Sequence, residues 1–177
     1  MGEQAIAAAA ADDHVRGARD AELVVIEYGD FQCPYCARAR PTLAALQERH
    51  GARLVLVYRH LPLEHLHPLA GLAAEAAEAA AAQGQFWGMH DALFEHQRQL
   101  DAATLPLLAQ ELGLDVEKFR RDVESRRYRD KVRAHADDAA RVGATATPAF
   151  FFNGQRYRGD SDRASLTAAI EEALNGR

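Results

Sequence analysis

Apolar and polar positions along the chain follow two alternating periods, and each change of period marks an element. "LVVIEYG" (23–29) is a nearly continuous apolar run, rich in β-branched residues and closed by Gly29. That is the pattern of a short buried strand. Pro34 opens a helical pattern whose apolar side is marked by Ala37, Leu43, Ala44 and Leu46, and Gly51 stops it. "ARLVLVYRHLP" then returns to strand character until Pro62. Strand, helix and strand in that order predict parallel pairing through a right-handed crossover.

From His65 to Val142 the pattern is helical almost throughout. "LAGLAAEAAEAAAAQG" ends at Gly84, and "QFWGMHDALFEHQ" sets Phe86, Met89, His90 and Leu93 on one face. "DAATLPLLAQELGL" has a cap at Asp101 and a stop at Gly113. The stretch from Asp115 to Gly143 holds two helices that meet near Ser125 to Tyr128. The character changes again at "TPAFFFNGQRYRG", a strand, an Asn153-Gly154 turn and a second strand. "SDRASLTAAIEEALNG" is a capped helix stopped by Gly176. The predicted class is α/β, a four-stranded mixed sheet with flanking helices, built from 21–64 and 143–177. An all-helical subdomain is inserted over 65–142, and residues 1–20 form a loosely attached, partly mobile leader.

Composition narrows the function classes. Hydrophobic residues make up 48% and charged residues 27% of 177, a balance suited to one globular domain. A net charge of -5 argues against a protein built to hold nucleic acid or an anionic membrane. No apolar stretch is long enough to predict a membrane span. Glu3 precedes every basic residue and the run Ala5 to Ala11 is weakly apolar, so the N-terminus lacks the marks of a signal peptide. A cytoplasmic location is expected from the chain as written, and an exported one if a signal has been removed from it.

The chain has only two cysteines, Cys33 and Cys36, in "GDFQCPYCARARP". Three apart on a helix, they share one face within reach of a disulfide. With Pro34 as the first helical residue, Cys33 takes the cap position, where free backbone N–H groups and the helix dipole favour a thiolate. Cys33 is therefore the expected attacking thiol, with a lowered pKa, and the better-shielded Cys36 the resolving one. Two other readings exist. C-x-x-C is half of a zinc site, with His60, His65 and His67 as possible nitrogen ligands, but there is no second cysteine pair and "HLPLEHLHP" lacks finger spacing. A purely structural clip over so small a loop gains little chain-entropy stabilisation. C-x-x-C beside a β-α-β pattern points to redox chemistry.

"VVIEYGDFQCPYCARARPTL", "VYRHLPLEHLHPLA" and "GATATPAFFFNG", in that order, resemble the DsbA-like thioredoxin-fold family of thiol–disulfide oxidoreductases. The resemblance spans about residues 14–175. It implies a thioredoxin fold interrupted by a helical domain after the second motif strand. It also implies that Glu27, six residues before Cys33, is a buried acid. Its pKa would then be raised, and it could take the proton from Cys36 through water. The other reading of Glu27 is a solvated acid at a strand end.

By the same resemblance, Thr147-Pro148 forms a cis-proline loop against the cysteines, with Ala146 where related sequences often carry glycine. The expected substrate-binding residues are Pro34, Tyr35, Thr147 and Pro148, with the Thr147 backbone pairing with an extended segment. The expected partners are protein thiols or disulfides and a redox partner, without nucleic acid. The expected state is a monomer, with no metal and no cofactor beyond the cysteine pair.

Other conspicuous residues read as structural. His60 and His67 are expected to pack or hydrogen-bond, and Trp87 with Phe86 and Met89 to form core. The basic run Lys118 to Arg133 is expected to lie on exposed helix faces, supported by Glu117–Arg121 and Asp122–Arg126 pairs. The function expected is a thiol–disulfide oxidoreductase acting on proteins, its direction open. A glutathione-linked reductase or isomerase of related fold and a non-catalytic redox-sensing domain are the alternatives.

Overall fold

The computed structural model describes residues 9–176, so the first eight positions of the expected leader lie outside the described residues. In chain order the elements are β1 (His14–Arg16), β2 (Leu23–Gly29), α1 (Pro34–His50), β3 (Leu54–His60) and α2 (Ala70–Ala81). They continue with α3 (Phe86–Glu95), α4 (Leu105–Glu111), α5 (Val116–Glu124), α6 (Arg129–Arg141), β4 (Ala149–Phe152), β5 (Gln155–Arg156) and α7 (Arg163–Asn175). The strands form one sheet in the order β1-β3-β2-β4-β5. Among the described residues only β2 and β3 run parallel. Five helices stand in the chain between β3 and β4.

The sheet has five strands where four were expected. The extra one, β1, falls inside the expected leader and pairs antiparallel with β3, His14 opposite Tyr58. "HVR" has one apolar residue, so nothing in its pattern announces a strand. Its neighbours hold it instead. Trp87 Nε1 donates to the Val15 carbonyl at 2.8 Å, Arg16 pairs with Asp91 at 2.8 Å, and His14 stacks on Phe86. Just before it, Asp13 takes both arms of the buried Arg59 at 2.9 and 2.7 Å.

Alternation sorts the two central strands between two layers. Leu23 and Val25 of β2, with Leu54 and Leu56 of β3, pack under α1 and α7 beside Leu43, Leu166 and Ile170. Val24, Ile26 and Tyr28 face the other way with Val55, Val57 and Ala139 of α6. Both faces are covered, which is why these strands read as continuous apolar runs. Glu27 falls on the same face as Val25, directly opposite Tyr58 of β3 and Phe150 of β4. An acid is thus placed by register beneath the first turns of α1. A third cluster joins Phe31, Cys33, Cys36 and Tyr58 to the core of the helical block through Phe86, Met89, Leu93 and Phe94.

Two local expectations change. Asp101 does not cap α4: Thr104 stands at that position, and Asp101 instead closes a turn with Thr104, accepting from its N–H at 2.8 Å. On α5, Asp122 is buried and pairs with Lys118 at 2.6 Å. Arg126, in the positive-φ junction between α5 and α6, reaches Glu75 of α2 with two bonds of 2.7 Å rather than Asp122. A bidentate guanidinium–carboxylate pair across helices outbids a single i,i+4 contact.

Candidate active site

Cys33 caps α1 in extended conformation, and Pro34 begins the helix. Both thiols are free and buried, Cys33 3% and Cys36 0% exposed. The turn before them is fixed by Asp30. Its Oδ1 accepts from Gln32 N at 2.7 Å, and its Oδ2 from Leu63 N at 2.9 Å and from the His67 ring at 2.8 Å. Gln97, from the end of the α3 segment, donates from Nε2 to the Phe31 and Cys33 carbonyls, each at 2.9 Å. The helical block therefore grips the cysteine loop directly. Tyr35 projects to solvent, 57% exposed, with the Arg38 guanidinium 4.6 Å over its ring.

The Thr147-Pro148 bond is cis, and the Thr147 carbonyl accepts from the Cys33 thiol at 3.4 Å. The loop before β4 therefore lies against the attacking sulfur. Two surface grooves flank this point. One is bordered by Tyr35, Thr147, Pro148, Tyr157 and Arg158, the other by Pro34, Arg38, Phe94, His96 and Arg98.

The two thiols are held apart in acidity. The Cys36 thiol donates to the Cys33 sulfur, and that bond overcomes burial. The backbone N–H groups of Cys36 and Tyr35 add to it, so Cys33 falls to about 6. Cys36 moves the other way. Burial dominates, and the Cys33 and Glu27 groups beside it raise it further, well above an ordinary thiol. Glu27 is 7% exposed, so the solvated reading of this residue does not hold. Burial, and then the Cys33 charge, push its pKa up to about 8 against the hydrogen bond from Cys36. Its Oε1 is buried with no partner among the described residues.

The histidines divide by partner. His67 orients Asp30. His60 lies with His14 around Glu78, each ring nitrogen 2.7 Å from Glu78 Oε1. His14, His60 and Glu78 offer three ligating atoms within 4.8 Å of one another, a metal-like set. The Lys131 ammonium already supplies a cation there, 2.8 Å from Glu78 Oε2 and 3.4 Å from His14 Nε2. His60 is thus turned to Glu78 and away from any ligand set with the cysteines. Asp30, Gln97, Tyr58 and Glu78 were not singled out by sequence reading. Asp30 had a signal, an acid just before C-x-x-C at a strand end, whereas Gln97 and Glu78 reach their places only through tertiary packing.

Comparison with known proteins agrees with this geometry. A family model described as Thioredoxin matches residues 9–172. Among solved structures, a thioredoxin-like oxidoreductase from Silicibacter pomeroyi superposes with a TM-score of 0.77 at 28% identity, over 93% of each chain. The alpha-DsbA1 protein of Wolbachia pipientis has the same fold, with a TM-score of 0.80 at 20% identity over 95% of this chain and 94% of that one. Among curated proteins, Na(+)/H(+) antiporter NhaA 3 of Salinispora tropica is 45% identical over 162 residues, 92% of this chain and 25% of that protein. The chain spans about a quarter of the length of the curated relatives it matches.

Proposed function

The chain belongs to the thioredoxin family and has the fold of its DsbA-type members, and from that premise we propose that it exchanges disulfides with protein thiols through Cys33 and Cys36. The observation that carries this reading is the placement of the two thiols: Cys33 caps α1 against the cis Thr147-Pro148 loop, and Cys36 lies buried one turn further in. In the reductive direction the Cys33 thiolate attacks a substrate disulfide, forming a mixed disulfide and releasing one substrate thiolate. Once Cys33 is bonded to the substrate, the Cys33 charge that helps to hold a proton on Glu27 is gone; Cys36 then loses its proton to ionised Glu27 and attacks the Cys33 sulfur. The Cys33–Cys36 disulfide forms and the second substrate sulfur leaves as a thiolate. In the oxidative direction each bond change runs backwards, and Glu27–H returns the proton to Cys36. About 30 mV of potential, roughly 1.4 kcal/mol, moves the balance tenfold either way.

Pro34, Tyr35, Thr147 and Pro148 would receive the substrate. Tyr35 is an exposed apolar contact, and the Thr147 backbone beside it offers an edge for an extended segment. The test pairs insulin reduction with oxidation of a reduced protein dithiol. Turnover in at least one assay, lost in Cys33→Ser, supports the reading. Cys36→Ser should retain the substrate as a mixed disulfide. Absence of turnover in both assays, with partner binding unchanged in Cys33→Ala, would favour a non-catalytic redox-sensing domain instead.

A second reading concerns context. The 44–45% identity to a quarter of proteins named antiporters favours a domain that works beside a membrane transporter. Trapping with Cys36→Ser, followed by separation of membrane and soluble fractions, distinguishes the two.

A further inference from the structure

The exposed Pro34-Tyr35 turn separates two grooves, and both carry a charge opposite in sign to that of the chain. The groove on the Pro34 side holds Arg38 and Arg98 against one carboxylate, Glu95. The groove on the Tyr35 side holds Arg156 and Arg158 against one, Asp160. The whole chain has a net charge of -5, so the surroundings of Cys33 depart from the rest of the molecule.

The Pro34 side is the less compensated of the two. Glu95 is drawn to Arg40, 3.5 Å away, which does not border the groove. Arg38 and Arg98 are exposed, and neither forms an ion pair among the described residues. Arg38 is nevertheless positioned, its guanidinium 4.6 Å over the Tyr35 ring. A stacked guanidinium keeps its N–H donors around the edge of its plane, where they match the two oxygens of a carboxylate. Arg98 stands in the short helical turn Gln97–Gln99, and the Gln97 side chain bonds the Phe31 and Cys33 carbonyls. Its backbone is therefore anchored to the cysteine loop.

We propose that Cys33 prefers cysteines in an extended protein segment with acidic residues on both sides, recognised by Arg38 and Arg98 in one groove and by Arg158 in the other. This inference rests on the exchange reading proposed above and names the class of substrate it acts on. An extended chain advances about 3.3 Å per residue, so a segment crossing the site at Cys33 carries its neighbouring side chains into both grooves. A basic segment would set like charges against the arginines. A neutral one would gain the contacts of Pro34, Tyr35 and Phe94 alone. Long-range attraction between the cationic rim and an acidic segment also speeds their encounter.

Peptides with one cysteine flanked on both sides by Glu, Gln or Lys, each joined to thionitrobenzoate as a mixed disulfide, test this in the Cys36→Ser chain. The Cys33 thiolate attacks the peptide sulfur, the peptide–thionitrobenzoate bond breaks, and coloured thionitrobenzoate leaves as a thiolate. Dividing each rate by that of mercaptoethanol with the same peptide removes the effect of the flanking charges on the disulfide itself. At low salt the Glu peptide should react about fivefold faster than the Gln peptide, and the Lys peptide about fivefold slower. The preference should shrink with salt, because the Debye length falls from about 10 Å at 0.1 M to about 3 Å at 1 M.

Arg38→Gln combined with Arg98→Gln should bring the Glu and Gln rates within about twofold of each other. Arg158→Gln should lower the ratio less, because Asp160 already stands in its groove. Arg133→Gln, at an exposed position of α6 outside both grooves, should keep the parent ratio. Glutathione joined to thionitrobenzoate is acidic but offers no extended segment, and it should react more slowly than the Glu peptide. Equal normalised rates for the three peptides, or a preference that survives loss of Arg38 and Arg98, overturns the proposal. So does an equal fall in Arg133→Gln, or glutathione matching the Glu peptide. A chain that releases no thionitrobenzoate from any peptide defeats the exchange reading itself, and this preference with it.

Discussion

Glu27 and Glu78 are both buried carboxylates, and the protein holds them at opposite ends of the acidity scale. Around Glu27 burial acts almost alone: the Cys36 thiol is its one side-chain partner among the described residues, and the Cys33 charge adds to the burial, so the pKa rises to about 8. Around Glu78 burial pushes the same way but is overruled. His14, His60 and Lys131 approach to 2.7, 2.7 and 2.8 Å, and the carboxyl falls far below its ordinary range. Burial raises the acid's pKa in both places, and the partners decide whether that rise stands. A fully partnered acid ties β1, β3, α2 and α6 together and stays ionised. A poorly partnered acid beside a thiol is poised to gain and lose a proton.

The comparison breaks most heavily at Glu78. Glu78→Gln leaves Lys131 and two imidazoles facing no charge, and a buried pair broken on one side costs about 3–5 kcal/mol. Urea unfolding at pH 7 should show that loss, with β1 released from the sheet edge. Glu27→Gln should act in the opposite sense and depend on pH. Glu27 has a folded pKa near 8 against an ordinary value of 4.5, so the folded state holds its proton across that window and the unfolded state does not. Its contribution to stability therefore falls as pH rises from about 4.5 to 8, and Glu27→Gln removes the fall. The reduced variant should gain about 2–3 kcal/mol over the parent between pH 5 and pH 8. A constant difference across that range would contradict a buried, protonated Glu27.

Smaller effects sharpen the contrast. His90, beside Glu27, is driven down to about 4 by burial despite Asp91. The unfolded chain binds its proton below about pH 6.5 while the folded one stays neutral until about 4, so stability is lost as pH falls through that window. His90→Phe should recover about 2 kcal/mol at pH 4.5 relative to pH 7, by thermal or urea unfolding. Gln97→Ala removes two donors from the cysteine loop and should cost about 1 kcal/mol. That variant should leave the Glu78 cluster intact, and alkylation of Cys36 should become faster as its loop loosens.

The parts of this architecture that follow from periodicity were legible in the chain: β2, α1, β3, the β4–β5 turn and α7 all announce themselves in apolar spacing, caps and stops. C-x-x-C and its place between strand and helix were legible for the same reason. β1 was not, because a strand of "HVR" is made by Trp87, Asp91 and Phe86 from the helical block. Arg126 was assigned to its own helix because i,i+4 spacing cannot see Glu75 on α2. The burial of Glu27 came from family likeness, since "VVIEY" alone suits a buried strand or a strand end. Its contrast with Glu78 lies entirely in contacts between residues far apart in the chain.

The central claim is that one thiol is activated and the other suppressed. Reduced protein alkylated with iodoacetamide from pH 4 to 10, with each cysteine quantified by mass spectrometry, tests it directly. Labelling at Cys33 alone, with a midpoint near pH 6, is the predicted result. Labelling of both cysteines in parallel, or of Cys33 only near the pH of a free thiol, would contradict it.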